Sequence, residues 1–405
     1  MLRLALLTHE PFYPPSGGGS AEAIYLVEEL TRRGHDVHVF CPRVADPAEV
    51  QGRFKIRLHQ FSAWKMGRYA AFRNFKYLLY PFFLERMVEK AAREVKFDLV
   101  LSQHAIAAVA AGKLRAKLKT PVVMNFLDYL SGFMETWPSY LMPKPVLARV
   151  LNYELSLPVR YQADAVLTVS DTLADYFAEA GYPRTRLRPI YYGYDAELFK
   201  APTPDSLPAT ENQQVMVMHG SFDHHHLGPI AREAVARVVT KLPGAVFRFV
   251  GQRTPALNHF VELVRKDRPD AKLECTGFLP YAEVAHQLAD ASVGLVPYEE
   301  SKGVHCAFVA KIVEYVGMGL PVVSTPLASA SRYFANEPLV RFSEFNGATF
   351  GDQILSWLAE PLSRRRALAL PAIERVKAEL DWRVISRKAV DFVEQIQQRY
   401  LEGRS

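Results

Sequence analysis

The chain alternates short apolar runs with amphipathic stretches twice over, and a proline-rich break separates the two series. The first series has apolar runs at residues 2–8, Val37–Phe40, Phe97–Ser102, Pro121–Phe126, Ala165–Ser170 and Leu187–Ile190. Runs this short, bounded by Gly, Pro or Asp, fit strands buried on both faces. Between them, Ala21–Arg33 sets Ile24, Leu26, Val27 and Leu30 on its core side, and residues 105–117, 139–163 and 172–180 also read as helices. The second series places strands at Gln214–His219, Ala245–Val250, Leu273–Cys275, Val293–Pro297 and Val322–Thr325, with helices at 228–241, 256–265, 281–289 and from Lys311. Helices at 350–358, 363–378 and 383–400 follow. Alternation of this kind calls for parallel sheets with helical crossovers. Pro202-Thr203-Pro204-Asp205-Ser206 marks a linker over 200–212. The expected fold class is α/β, with two doubly wound, Rossmann-like domains at 1–199 and 213–380 facing across a cleft. The final stretch, 381–405, is expected to be a helix packing back toward the first domain.

Composition excludes several function classes. No window reaches the roughly 18 uncharged apolar residues of a spanning helix, and Met1–Leu7 reads as a strand rather than a secretory segment. Cys41, Cys275 and Cys306 lie far apart, match no metal spacing and suit a reducing cytosol. A cytoplasmic location is therefore expected, extending to the inner face of the cytoplasmic membrane. Net charge is +6, and residues 1–199 hold 25 Lys and Arg against 20 Asp and Glu, while the remainder holds 24 against 23. That excess suits an anionic membrane or an acidic acceptor. It is too small for a nucleic-acid binder, and no nucleic-acid motif accompanies it. Residues 61–92 interleave Phe61, Trp64, Tyr69, Phe72, Phe75, Tyr77, Tyr80, Phe82 and Phe83 with Lys65, Arg68, Arg73, Lys76 and Arg86. Two readings stay open there: a helix lying in a membrane interface, or a helix pair packing its aromatics into the core.

Candidate site residues cluster where strands end. Gly17, Gly18 and Gly19 lie between the first strand and the first helix, where backbone approaches a ligand closely and a helix N-terminus attracts anions. The spacing is not that of a dinucleotide fingerprint. His104 and Asp128 stand just past two successive parallel strands, where α/β sheets place their sites. Lys311 and Glu314 are three apart on one helical face, a cation and a carboxylate suited to an anion and a sugar diol, or to an ordinary surface ion pair. His224-His225-His226 is not expected to converge on a metal, and no carboxylate or Cys spacing completes a zinc site. The run reads as a cleft-lining loop, and no metal is expected.

The stretches Tyr13-Pro14-Pro15-Ser16-Gly17-Gly18-Gly19-Ser20-Ala21-Glu22, Arg33-Gly34-His35-Asp36-Val37 and Val169-Ser170-Asp171 are followed by Tyr192-Gly193-Tyr194-Asp195, Thr276-Gly277-Phe278-Leu279-Pro280-Tyr281, Val296-Pro297-Tyr298 and Lys311–Thr325. In this order, spanning nearly the whole chain, they resemble GT-B glycosyltransferases, in particular family 4 (group 1). The resemblance implies transfer of a sugar from an NDP-sugar, of UDP or GDP type, to a hydroxyl of a saccharide or lipid-linked saccharide. It implies no other cofactor. It assigns Glu314 to the donor ribose, Lys311 to the diphosphate, and Gly17–Gly19 to the diphosphate or the transferred sugar. The main chain at Phe278 and Leu279 would hold the base with Tyr298 nearby, and Gly220, Ser221 and Arg253 complete the donor set. Absence of a D-x-D motif agrees with metal-independent transfer.

Departures from the family pattern bear on mechanism. Cys306 stands where many retaining members carry Glu, and Ser221 and Leu227 stand near their usual Arg and Lys. Lys311 before Glu314 is similar to bacterial exopolysaccharide glucuronosyltransferases, which are inverting, membrane-associated, and use an Asp placed like Asp128 as base. Retaining members place a His like His104 beside the transferred sugar, so stereochemistry stays open. The alternatives are a non-catalytic nucleotide-sugar or saccharide-binding subunit, and a GT-B sugar epimerase.

Overall fold

The computed structural model describes residues 1–14, 18–62, 76–137, 142–201 and 214–403. The chain divides into two compact units. One comprises Met1–Ser131, Met142–Tyr192 and Trp382–Ser405; the other comprises Gly132–Leu141 and Gly193–Asp381. The division therefore falls at Gly193, ahead of the proline-rich stretch, and a short piece after the fifth strand groups with the second unit.

In the first unit the order is β1 (Arg3–Leu7), α1 (Gly18–Arg32), β2 (Asp36–Pro42), α2 (Pro47–Phe54), β3 (Arg57–Phe61), α3 (Lys76–Ala91), β4 (Leu99–Gln103), α4 (His104–Leu118), β5 (Val122–Phe126), α5 (Lys144–Arg160), β6 (Ala165–Thr168), α6 (Asp171–Glu179) and β7 (Leu187–Pro189). The strands form one parallel sheet in the order β3-β2-β1-β4-β5-β6-β7. The α2–β3 pair escaped the sequence reading because α2 is short and β3 is only half-buried. Local chemistry accounts for α2: Asp46 accepts from the Glu49 N–H, Pro47 opens the helix, and Lys55 ends it in the left-handed region.

The second unit runs β8 (Val215–His219), α7 (Pro229–Lys241), β9 (Val246–Val250), α8 (Pro255–Asp267), β10 (Lys272–Gly277), α9 (Tyr281–Ala289), β11 (Val293–Val296), α10 (Lys302–Cys306), α11 (Ala310–Gly317), β12 (Val322–Ser324), α12 (Ala328–Tyr333), β13 (Val340–Phe342), α13 (Gly347–Ala359) and α14 (Leu362–Leu380). Its sheet is also parallel, ordered β10-β9-β8-β11-β12-β13. The α10 turn, α12 and β13 were not anticipated, since each is too short to show a period.

The last helix, α15 (Trp382–Glu402), belongs to the first unit. Val390, Phe392, Val393 and Ile396 join the same buried cluster as Leu4, Leu6, Leu26, Val27 and Val39. In the aromatic segment, Phe61 is buried with its ring 5.0 Å from Tyr80 and 5.7 Å from Phe83, which is core packing. Leu78 and Phe82 on α3 are exposed, and Arg86 lies 4.6 Å over the Phe82 ring. Trp64, Tyr69, Phe72 and Phe75 lie outside the described residues, as do Lys65, Arg68 and Arg73. Among the described residues no helix is long and apolar enough to cross a membrane.

Burial of Phe392 by the first unit makes α15 structural. Phe392→Ala is expected to lower the stability of that unit by about 3 kcal/mol. Leu401→Ala, at a side chain 58 % exposed, should change it by no more than about 0.5 kcal/mol. Chemical denaturation of the two variants checks this, and equal midpoints would contradict it.

Candidate active site

In an open parallel sheet, ligands bind beyond the strand C-termini where the strand order reverses. In the second unit that place lies between β8 and β11. β8 ends on His219 and runs into Gly220, whose φ is +101° and whose N–H donates to the Val250 carbonyl (2.9 Å). After β11 the chain reaches Tyr298, which is buried. Lys311, in the first turn of α11, donates from Nζ to the Tyr298 hydroxyl (2.9 Å). A Cβ on Gly220 would lie 3.1 Å from Lys311 Cε and 3.2 Å from Nζ, so glycine here leaves room beside the ammonium. Ser221 follows, half-buried.

Glu314, one turn further along α11, is not a surface partner of Lys311. It is 4 % exposed. Its Oε2 lies 2.5 Å from His219 Nε2, and its Oε1 accepts from the Tyr281 hydroxyl (2.6 Å). Gly251 and Gly277 form an isolated bridge that brings the turns after β9 and β10 together. Arg253 is exposed beside Cys275, Leu279 is half-buried, and Phe278 is 75 % exposed, the largest apolar surface left open in that turn. Cys306 is buried at the end of α10.

In the first unit the reversal lies between β1 and β4. His104 begins α4 directly after β4, in the left-handed region at φ +61°. Its Nδ1 is buried without a hydrogen-bond partner, and its ring meets His9 edge-on at 5.1 Å. Burial pushes the His104 pKa down, which favours the neutral imidazole. Asp128 is half-buried just after β5. It and Glu22 add to the burial that holds the Tyr192 hydroxyl well above its usual range. Gly17 lies outside the described residues. Gly18 and Gly19 are the first residues of α1 rather than part of the loop before it, so they contribute helix N-terminal N–H groups.

Beneath these groups sits a carboxyl that sequence reasoning missed. Glu22 on α1 is 3 % exposed. It accepts from Gln103 Nε2 at the end of β4 and from Asn125 Nδ2 in β5 (3.0 Å). Gln103 and Asn125 are themselves register partners. Burial pushes the Glu22 carboxyl up to about 7, and the two amide donors only partly offset it. His219, Tyr281 and Tyr315 were also missed. A signal existed for His219: it is a polar residue closing an otherwise apolar strand.

The histidine run behaves differently from its expectation. Ligand atoms of Asp223, His225 and His226 lie within 4.8 Å of one another, so the turn over 224–226 does bring consecutive histidines together with a carboxylate. His226 Nδ1, however, accepts from the Asp223 N–H (3.0 Å). A neutral ring then carries its proton on Nε2, which leaves that nitrogen unsuited to a metal. The His226 ring packs edge-on against Tyr298 at 4.5 Å.

The raised Glu22 pKa has a stability consequence. A group that holds its proton more tightly when folded stabilises the fold fully below its unfolded value, near 4.5, and that contribution is lost as pH rises through about 7. Glu22→Gln removes the titration. Relative to the wild type, the variant should therefore gain about 2 to 3 kcal/mol between pH 5 and pH 8. Denaturation curves of both proteins across that range check it, and a difference that stays constant with pH would contradict it.

Comparison with known proteins agrees with both halves of this arrangement. The family model "Glycosyltransferase Family 4" matches residues 16–198. The model "Glycosyl transferases group 1" matches residues 213–359. No curated protein gives a significant sequence match. Among solved structures, sucrose-phosphate synthase from Thermosynechococcus elongatus is 17% identical with a TM-score of 0.80, covering 98% of this chain and 99% of that one. HepE from Anabaena, solved in complex with UDP and glucose, is 17% identical with a TM-score of 0.72, covering 98% of this chain and 100% of its own. WaaG, a glycosyltransferase involved in lipopolysaccharide biosynthesis, is 17% identical with a TM-score of 0.65, covering 96% and 98%. With two parallel Rossmann-like sheets, and with both halves of the chain matched by these models, the protein belongs to the family 4 (group 1) glycosyltransferases of the GT-B fold.

Proposed function

We propose that this glycosyltransferase moves a sugar from a nucleoside-diphosphate donor to a hydroxyl of a saccharide or lipid-linked saccharide, without a metal, in polysaccharide or glycoconjugate synthesis. The observation that carries the reading is the grouping of Lys311, Glu314, Tyr298 and Gly220 at the β8/β11 reversal. Lys311 is the group that would meet the diphosphate, where a cation stabilises the charge developing on the leaving group. Glu314 would accept hydrogen bonds from the ribose. The exposed Phe278 and the backbone beside it offer a surface for the base. UDP is favoured as the nucleotide because HepE was solved with UDP and with UDP-glucose.

The acceptor is assigned to the first unit, at the ends of β1, β4 and β5. Asp128 is the proposed base for an inverting transfer, taking the acceptor proton as the new glycosidic bond forms and the diphosphate leaves. His104, neutral and with a buried open nitrogen, would hydrogen-bond a sugar hydroxyl. The exposed Leu78 and Phe82, with the basic excess of residues 1–199, support a peripheral contact with an anionic membrane at the cytoplasmic face.

Asp128→Asn is expected to lower transfer about 100-fold or more while nucleotide affinity stays unchanged. Full activity in that variant would remove Asp128 from the chemistry. Lys311→Ala should weaken binding of the nucleoside diphosphate by roughly tenfold to a hundredfold, measured by calorimetry. An unchanged affinity would end the diphosphate assignment.

A further inference from the structure

Glu314 is held on both sides of its carboxylate by neighbours from separate elements. His219, the last residue of β8, reaches Oε2 with Nε2 at 2.5 Å. Tyr281, the first residue of α9, donates to Oε1 at 2.6 Å. Each neighbour is itself fixed. His219 Nδ1 lies 3.0 Å from the Tyr315 hydroxyl, which donates to the Val217 carbonyl at 3.3 Å. That hydroxyl therefore accepts from Nδ1–H, and a proton between Nε2 and Oε2 completes the chain whichever group carries it. The Tyr315 ring can lie there because Gly294 backs it: a Cβ at that position would come within 2.4 Å of the ring. The Tyr281 ring packs at 5.0 Å against Phe199, which is buried.

Each carboxyl oxygen has two hydrogen-bonding directions, and each here turns one toward a protein partner. One acceptor direction per oxygen remains. Two oxygens with one open direction each match a vicinal diol, whose two hydroxyls donate side by side. A carboxylate free to rotate would have to be ordered on binding; one fixed in advance does not bear that entropic cost.

We propose that His219 and Tyr281 are positioning residues that fix the Glu314 carboxylate for a vicinal diol, so that the site selects ribonucleotides over their 2′-deoxy forms. The proposal rests on the reading that Glu314 receives the donor ribose. Loss of one hydroxyl leaves one buried direction on the Glu314 carboxyl unmatched, which is the more damaging kind of mismatch.

The test titrates the full chain calorimetrically with UDP and 2′-deoxy-UDP, with GDP and 2′-deoxy-GDP, and with inorganic pyrophosphate. Wild type should prefer the ribose form of its nucleotide by about tenfold or more. His219→Leu should bring that ratio close to one while leaving pyrophosphate affinity within about twofold. His219→Gln, whose amide can still donate to Oε2, should keep most of the preference, and Tyr281→Phe should lower it. Should His219→Leu fail to fold, the Gln and Phe variants carry the same comparison. A folded His219→Leu, or a Tyr281→Phe, with the wild-type ratio would overturn the clamp. So would a wild type that binds the ribose and deoxyribose forms equally, although the donor reading would then stand. A wild type that binds pyrophosphate but neither nucleotide pair would overturn the donor reading and the clamp together.

Discussion

Each unit is organised by the reversal of strand order in a parallel sheet. Successive right-handed crossovers place helices on one face while the order runs one way and on the other face when it turns back. The order turns back between β1 and β4, and again between β8 and β11, and a reversal of this kind opens a crevice at the C-terminal strand ends. Buried polar residues gather at both edges. His104, Gln103 and Glu22 sit at one; His219, Gly220, Tyr298 and Lys311 sit at the other.

Apart from the half-buried Lys311, the polar side chains named at these edges are buried, so each must be satisfied or held for a ligand. Glu314 combines the two, with one protein partner on each oxygen and one direction left open. Taken out of water by α11, its carboxylate is compensated by His219 and Tyr281, and the His219 ring is oriented in turn by Tyr315. Glu22 shows the same logic with a different balance. Its partners are two neutral amides, so burial prevails and the carboxyl is pushed up to about 7. The buried Nδ1 of His104 and Oδ1 of Asn125 show the second case, since neither has a protein partner.

Much of the architecture was legible as pattern. Short, largely apolar runs such as Val122–Phe126 and Val215–His219 fit strands covered on both faces, and they are so covered. What escaped was short or half-buried: α2, β3, α12 and β13 bury too little to show a period. The pair Lys311 and Glu314 was legible as a pair, but its meaning was not. Spacing along a helix says that two side chains share a face; it does not say that one reaches a tyrosine ring while the other turns inward onto a histidine from another strand.

The sequence by itself determined the two α/β series, their strand ends, and the family to which those ends correspond, because period and punctuation are local properties of a chain. Only the tertiary structure decided the partners. Glu22 meets Gln103 and Asn125, and Glu314 meets His219 and Tyr281. These contacts join residues far apart in sequence, and burial gives them their strength. Neither the pairing nor the burial leaves a periodic trace in the sequence.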